Sequence, residues 1–483
     1  MIDSIWSRTA ASAPRPPLTG EQTAQAAVIG GGLAGVLTAW LLRQAGVDAA
    51  IVEAERAGGG QTSGTTAKFT SQHGAIYHRL ETDLGPDAAR LYAQANEEAI
   101  RSYEALILAG NIPCQWRRCR AWLYSRSDED LIEREAEAEK RAGLPVALSR
   151  RTELPFSVKA ALAAEGQAAA HPLELLLALA EDLRIYEGSR VIEVDGDQLR
   201  TSAGGVLRAE RIVFACHYPF VNFPGFYFAR MHQERSYVLA LSGADRMEDM
   251  YYGVEPGGLS FRPAGKLLLL GGSGHRTGEN ASGGQYASLS QAARLLYPSA
   301  REAARWSAQD CVTPDGLPYV GRFSAGKPNW YVATGFAKWG MTTSMAAAAL
   351  LRDLILDRTN PYEGLFSPQR DTLLLSAPQL AQEGVHAVGG LSRLFLAPAR
   401  AKAETLAPGQ GGVVEAEGEK LGVCRTPEGK LLAVDIRCPH LGCQLAWNPE
   451  EKTWDCPCHG SRFDPYGKLL SGPAQRDLPA WDL

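Results

Sequence analysis

The first clear pattern along the chain is an unbroken apolar run, Ala26-Ala27-Val28-Ile29. It gives way to glycines and resumes as Leu33, Val36, Leu37, Trp40 and Leu41 at helical spacing. Gly46 stops that helix, and Val47 to Val52 returns as a second buried strand. Further on, Arg190 to Val194, Arg211 to Ala215, Tyr237 to Leu241 and Lys266 to Leu270 read as strands, and Met341 to Leu354 as a second apolar helix. Asp128 to Arg141 alternates in charge and ends at Gly143 and Pro145, which predicts a solvated helix with a glycine stop. From Pro361 to Ala399 the pattern loosens into a proline-punctuated linker. Beyond it, short strands alternate with glycine turns at Gly411-Gly412, Glu428-Gly429 and Tyr466-Gly467, as in a compact β module.

Composition narrows the class without naming a function. A chain of 483 residues, 45% hydrophobic and 21% charged, has enough apolar content for several folded domains. A formal charge of −5 argues against a general nucleic-acid or anionic-membrane binder, since neither surface attracts an acidic protein. The first 25 residues lack the apolar core of a secretory signal, and four glycines interrupt the most apolar stretch, Ala26 to Leu42. No transmembrane segment and a cytoplasmic location are therefore expected.

Chemistry enters first at Gly30-Gly31-Gly32-Leu33-Ala34-Gly35. Gly30, Gly32 and Gly35 fit GxGxxG, following a strand and opening a helix. The first glycine permits the tight turn, the second lets backbone approach a pyrophosphate, and the third brings helix and strand together. The free N–H groups at the helix start, around Leu33 and Ala34, then face the phosphates. Glu53, 23 residues after Gly30 at the end of the next strand, is the expected carboxylate for ribose hydroxyls. Its charge disfavours a ribose 2′-phosphate, and hence NADP.

A second, distant segment decides which dinucleotide. Asp315-Gly316-Leu317-Pro318-Tyr319-Val320-Gly321 is followed by Trp330 to Phe336 and by Gly340-Met341-Thr342. With these residues, roughly positions 20 to 370 resemble the D-amino-acid oxidase and glycine oxidase group of flavoproteins. The resemblance implies FAD, closed over by Gly335, Gly340, Met341 and Thr342, with the Val191 backbone at the adenine. It also implies that the loop Gly58 to Lys68 passes beneath the flavin, where Thr65, Thr66 and Lys68 supply donors. Lys338 and Trp339 precede Gly340 and are candidates for the flavin's neighbourhood. Arg235 and Tyr237 open a strand where an arginine often grips a carboxylate in related amine oxidases, although a solvent-facing arginine is the plainer reading. His73 and His78 read as ordinary loop or helix residues. No catalytic residue is assigned.

The cysteines point to a second cofactor. Five of the nine lie in the last 60 residues, and clustered cysteines in a reducing compartment usually mean metal or redox chemistry. Cys114 and Cys119, by contrast, read as unrelated thiols. Cys438-Pro439-His440 and Cys456-Pro457-Cys458-His459 each supply one thiolate and one imidazole, the ligand set of a Rieske [2Fe–2S] centre. Two cysteines and two histidines also suit tetrahedral zinc, but the C-x-H and C-x-x-H loops, each with an extra cysteine, match Rieske far better. Residues 400 to 483 resemble Rieske domains, in which Cys443 and Cys458 would form the loop-to-loop disulfide. The same resemblance makes Gly472-Pro473-Ala474 the covering loop and Ser461 a donor to a bridging sulfide. Phe463 stands where high-potential members carry tyrosine, which implies a lower potential.

The whole chain resembles bacterial FAD-dependent oxidoreductases with a C-terminal Rieske domain, a likeness to which Trp6 in the N-terminal arm also contributes. The expected class is α/β plus all-β: a Rossmann-like FAD domain (20–85, 155–215, 305–370), an antiparallel-sheet substrate domain (86–154, 216–304), a linker (371–399) and a small β Rieske domain (400–483). The expected activity is oxidation of a small amine, amino acid or hydroxy acid at FAD. Electrons would then pass singly through the cluster, by its exposed histidines, to a carrier protein or quinone-like acceptor. A reductase running the opposite way and a redox sensor are the alternatives.

Overall fold

The computed structural model describes residues 2–10, 12–370, 402–416 and 418–482. The linker expected at 371–399 lies outside them. Three bodies of sheet organise the rest. In the first, Glu21–Ile29 sits parallel between Val206–Phe214 and Ala49–Val52. Arg184–Tyr186 extends the sheet on one side, with Lys327–Thr334 and then Tyr319–Ser324 on the other. A strand covered on both faces needs no alternation, which explains the continuous apolar run at Ala26–Ile29. The helices Leu33–Gln44 and Gly340–Ile355 pack against each other in the same core.

The second sheet has nine strands, mostly antiparallel, with His232–Ser242 running between Leu267–Arg276 and Arg301–Val312. It claims Lys68–Phe69, Ala160–Ala169 and Arg301–Val312, so the expected boundaries near 85, 155 and 305 shift. Periodicity marks a strand but not its sheet, and hydrogen-bond pairing across the chain decides membership. The C-terminal part holds two four-stranded antiparallel sheets.

Two local expectations are corrected. Gly411-Gly412 is not a turn; it opens the strand Gly411–Ala416, and the chain reverses at Gly418 instead. The helix Glu129–Arg141, capped by Asp128, is not solvated all round. Glu135 accepts from the Tyr77 and His78 amides, and the buried Glu139 accepts from Gln72, so one acidic stripe faces inward. Burial, reinforced by Glu135, raises Glu139 well above the usual carboxylate range. Among the described residues no helix is long and apolar enough to cross a membrane.

Candidate functional site: a dinucleotide cavity abutting a Cys/His loop pair

A cavity of about 350 Å³ opens at the end of the parallel sheet. Gly30, Gly32, Leu33, Ala34, Glu53, Thr65, Thr66, Val191, Gly335, Gly340 and Met341 all line it, together with Lys338. Gly30 has φ +109°, and a Cβ there would stand 2.5 Å from the Ala215 carbonyl oxygen. A Cβ on Gly35 would meet the Gly30 carbonyl oxygen at 2.0 Å, so this third glycine serves the helix–strand contact and faces away from the cavity. Glu53 accepts from the Gly31 amide at 2.6 Å and the Glu55 amide at 2.8 Å, while burial raises its carboxyl. Trp6 and Trp306 donate to the Thr65 and Gly64 carbonyls and so fix the loop beneath the cavity.

Two expected flavin neighbours lie elsewhere. Lys68 points into the second sheet, where its ammonium donates to the Tyr251 carbonyl and Ser260 hydroxyl. Burial pulls it down to about 7. The Thr342 hydroxyl bonds the Thr70 carbonyl and His73, each at 3.0 Å, and ties the helix start to the core. His73, neutral because burial lowers it to about 3, stacks on Trp339 as a structural residue.

The cavity also contains groups that no motif announced. Asp310 lies on its wall beside Ser236 and Val238, its carboxyl raised to about 6 by burial despite the pull of Lys338. Burial alone would lower Lys338, but Glu234 at 2.8 Å outweighs it and keeps the ammonium charged. Ala337 and Lys338 both hold left-handed φ values, +45° and +76°, in the turn that delivers Lys338 to the wall. His217 is held neutral, near 4, by burial, and its Nε2 has no protein partner. A crowded glycine cradle, a carboxylate at the strand end and an orphaned ring nitrogen on the wall together fit FAD.

The C-terminal cysteines and histidines converge from two loops of matching construction. Cys438 N donates to Cys443 O and Gly442 N to Cys438 O, each at 2.9 Å. In the second loop Cys456 N donates to Ser461 O and Gly460 N to Cys456 O, at 2.8 and 2.9 Å. The Cys443–Cys458 disulfide joins the two loops. His440 Nδ1 and His459 Nδ1 face each other at 3.2 Å, and the neighbouring Cys438 and Cys456 thiols push each other apart, Cys438 up and Cys456 down. Two lone-pair nitrogens and two neighbouring sulfurs, with the spare cysteines bonded to each other, fit a [2Fe–2S] cluster held by Cys438, His440, Cys456 and His459. Ser461 Oγ accepts from the Ala474 amide at 3.0 Å and so pins the covering loop, while Phe463 is fully buried.

The expectation that these histidines are exposed is corrected. His459 is buried, and His440 bonds Asn222 of the flavin side. Phe228 stands edge-on to both rings. Arg235, read as solvent-facing, is buried and grips Glu451 of the C-terminal part through two bonds of 2.6 Å. Leu470, Ser471, Gly472 and Gln475, which precede and follow the covering proline, complete the wall of the dinucleotide cavity. A methyl at Gly30 has no room, and its φ would add strain of about 1–3 kcal/mol. Gly30→Ala is therefore expected to weaken FAD retention at least about tenfold, read as the flavin-to-protein absorbance ratio, with iron content unchanged.

Comparison with known proteins follows the same division. The FAD dependent oxidoreductase family matches residues 25–354, and the Rieske [2Fe-2S] domain matches residues 398–482. The Rieske 2Fe-2S iron-sulfur protein YhfW of Bacillus subtilis is 35% identical over all of this chain and 98% of its own. Cytochrome b6-f complex iron-sulfur subunit 2 of Trichormus variabilis is 54% identical over 41 residues, which are 8% of this chain and 23% of the subunit. Glycine oxidase from Geobacillus kaustophilus superposes with a TM-score of 0.62 at 21% identity, covering 72% of this chain and 99% of that one.

Proposed function

Because the chain belongs to the FAD-dependent oxidoreductases and carries a C-terminal Rieske [2Fe-2S] domain, we propose that it is a dehydrogenase for a small amine, amino acid or hydroxy acid whose electrons leave through the cluster. The observation that carries this reading is the shared wall: residues of the cluster's covering segment line the dinucleotide cavity. When bound, FAD supplies a two-electron acceptor for a substrate C–H and the cluster a one-electron carrier.

The chain's own residues do the rest. Gly30, Gly32 and the helix start at Leu33 bind the pyrophosphate, Glu53 the ribose, and Val191 the adenine. Thr65 and Thr66 orient the flavin from below. The ion-paired Lys338 presents a fixed positive charge at the cavity, where an anionic substrate group would be attracted. Asp310 takes the proton that a substrate ammonium or hydroxyl must lose before its C–H is oxidised. Leu470 to Gly472 exclude water on the cluster side. A carrier protein or quinone-like acceptor would approach nearest the cluster at the exposed rings of Phe223 and Phe226, which contact Phe228 and through it both histidines.

The test is anaerobic mixing of the intact protein with a panel of amines, amino acids and hydroxy acids. A true substrate bleaches the flavin and then raises the electron paramagnetic resonance (EPR) signal of the reduced cluster in the same molecule. Bleaching with no cluster signal would sink the relay. A cluster whose titrated potential lies below that of the flavin would reverse the direction.

A further inference from the structure

One segment of chain touches both centres. Ala215, Cys216, His217, Tyr218 and Phe220 line the dinucleotide cavity. Two residues later, Asn222 Oδ1 lies 2.7 Å from His440 Nε2. Phe228 then packs against both histidines, and the Gln233 amide donates to the His459 carbonyl at 2.5 Å and the Gly472 carbonyl at 3.2 Å. The same Gln233 side chain accepts from Gln309, which itself donates to the Gly460 carbonyl at 2.8 Å.

With its oxygen facing Nε2, the Asn222 amide matches a His440 protonated at Nε2. An amide oxygen only accepts, so in that pairing Nε2 is the N–H and Nδ1 the bare lone pair. Nδ1 is the atom that faces its counterpart on His459. An acceptor on the far nitrogen of a ligating histidine fixes its tautomer, orients its ring and raises its basicity. It reaches His440 across 218 positions of sequence, from a loop outside the C-terminal domain.

We infer that Asn222 is a positioning residue for the [2Fe–2S] cluster, supplied from outside the Rieske domain by the flavin-binding part of the chain, and that it lowers the cluster's potential by making His440 a stronger donor. The inference rests on the cluster reading above and adds that a residue of the flavin side tunes the cluster. It also means that the Nε2–H of His440 is bonded inside the chain, so an external acceptor reaches the cluster without that hydrogen bond. No feature of the Rieske sequence announces this, because Asn222 lies outside every motif.

The test uses the full-length holoprotein and reads iron content, the EPR spectrum and the cluster midpoint potential. Asn222→Leu removes the acceptor and is expected to favour cluster reduction by up to about tenfold, which for a one-electron couple is about 59 mV. Asn222→Asp keeps the oxygen in place and adds charge, and is expected to move the potential the opposite way, with iron retained. Opposite shifts with altered g-values support the inference. If the leucine variant loses iron, the aspartate variant alone decides, since it preserves the contact. A reduction equilibrium within twofold of wild type in iron-replete variants, a shift of less than about 18 mV, would overturn the role of Asn222. A wild-type protein with no [2Fe–2S] signal would overturn the cluster reading itself, and the inference with it.

Discussion

Replacing Arg235 with methionine is expected to cost the folded protein about 3–5 kcal/mol and to free the C-terminal domain from the sheet on which it sits. The Arg235 side chain is only 3% exposed and Glu451 14%, and the pair is held by two parallel bonds of 2.6 Å. Parallel bonds between a guanidinium and a carboxylate give both strength and direction. Arg235 also donates to Gln309 and Ser307, and both Ser307 and Arg462 serve Glu451. Removing the guanidinium therefore strips a buried carboxylate of its main partner from across the interface and takes one donor each from Gln309 and Ser307. Methionine keeps the length of the chain, so the loss reflects charge and hydrogen bonds more than a cavity.

Acid should do reversibly what this substitution does permanently. Burial works to raise the Glu451 carboxyl, but Arg462 and Arg235 outweigh it and hold it at about 2. An unfolded glutamate titrates at about 4.3, so the pair's stabilisation is complete above that pH and disappears as pH falls toward 2. Calorimetry and small-angle scattering across this window should show wild type loosening in acid, while Arg235→Met is already loose at neutral pH. An Arg235→Met protein with wild-type unfolding temperature and wild-type dimensions would remove the ion pair from the account of docking.

The same pair shows where sequence reading stops. Gly30, Gly32, Gly35 and Glu53 lie within one strand–helix–strand unit, and each cluster loop is six residues or fewer from cysteine to its partner groups. Local backbone conformation fixes such sites, so residue type and spacing carry them. Arg235 and Glu451 are 216 positions apart, and Asn222 and His440 are 218 apart. Those contacts come from how one domain lands on another, which no local spacing encodes. Lys68 fails for a smaller reason. Ala67 has φ +55°, which breaks the extended path from Thr66, so the next side chain enters the second sheet instead of following the flavin loop. Asp310 was illegible because an isolated acid in a strand has no signature; only the fold shows that its face is the one turned to the cavity. Phe463, in contrast, was readable both ways: its ring is fully buried, where a tyrosine hydroxyl would need a partner.

Asp310→Asn is expected to lower kcat/KM by about 10²-fold or more on whichever substrate bleaches the flavin, the usual contribution of a general base. Asparagine is close in size and keeps the carbonyl, but it has no site for the proton. The sign of the pH dependence follows from the raised carboxyl. Burial holds Asp310 near 6, so below that pH the group is protonated and idle, and above it the carboxylate is free to accept. In wild type, kcat/KM should therefore climb about tenfold per pH unit up to roughly 6 and then level off. The variant should lose that inflection while retaining FAD, because Asp310 has no counterpart in the glycine cradle that holds the dinucleotide. Lys338 supplies the internal control. Its pairing with Glu234 keeps it charged throughout the range, so the inflection cannot be its own. Removing the pair by Glu234→Gln would leave Asp310 the nearest anion to Lys338, and the inflection should move to lower pH, since the ammonium would then favour the Asp310 carboxylate. An inflection near 6 that survives in Asp310→Asn would assign the proton to another group on the cavity wall.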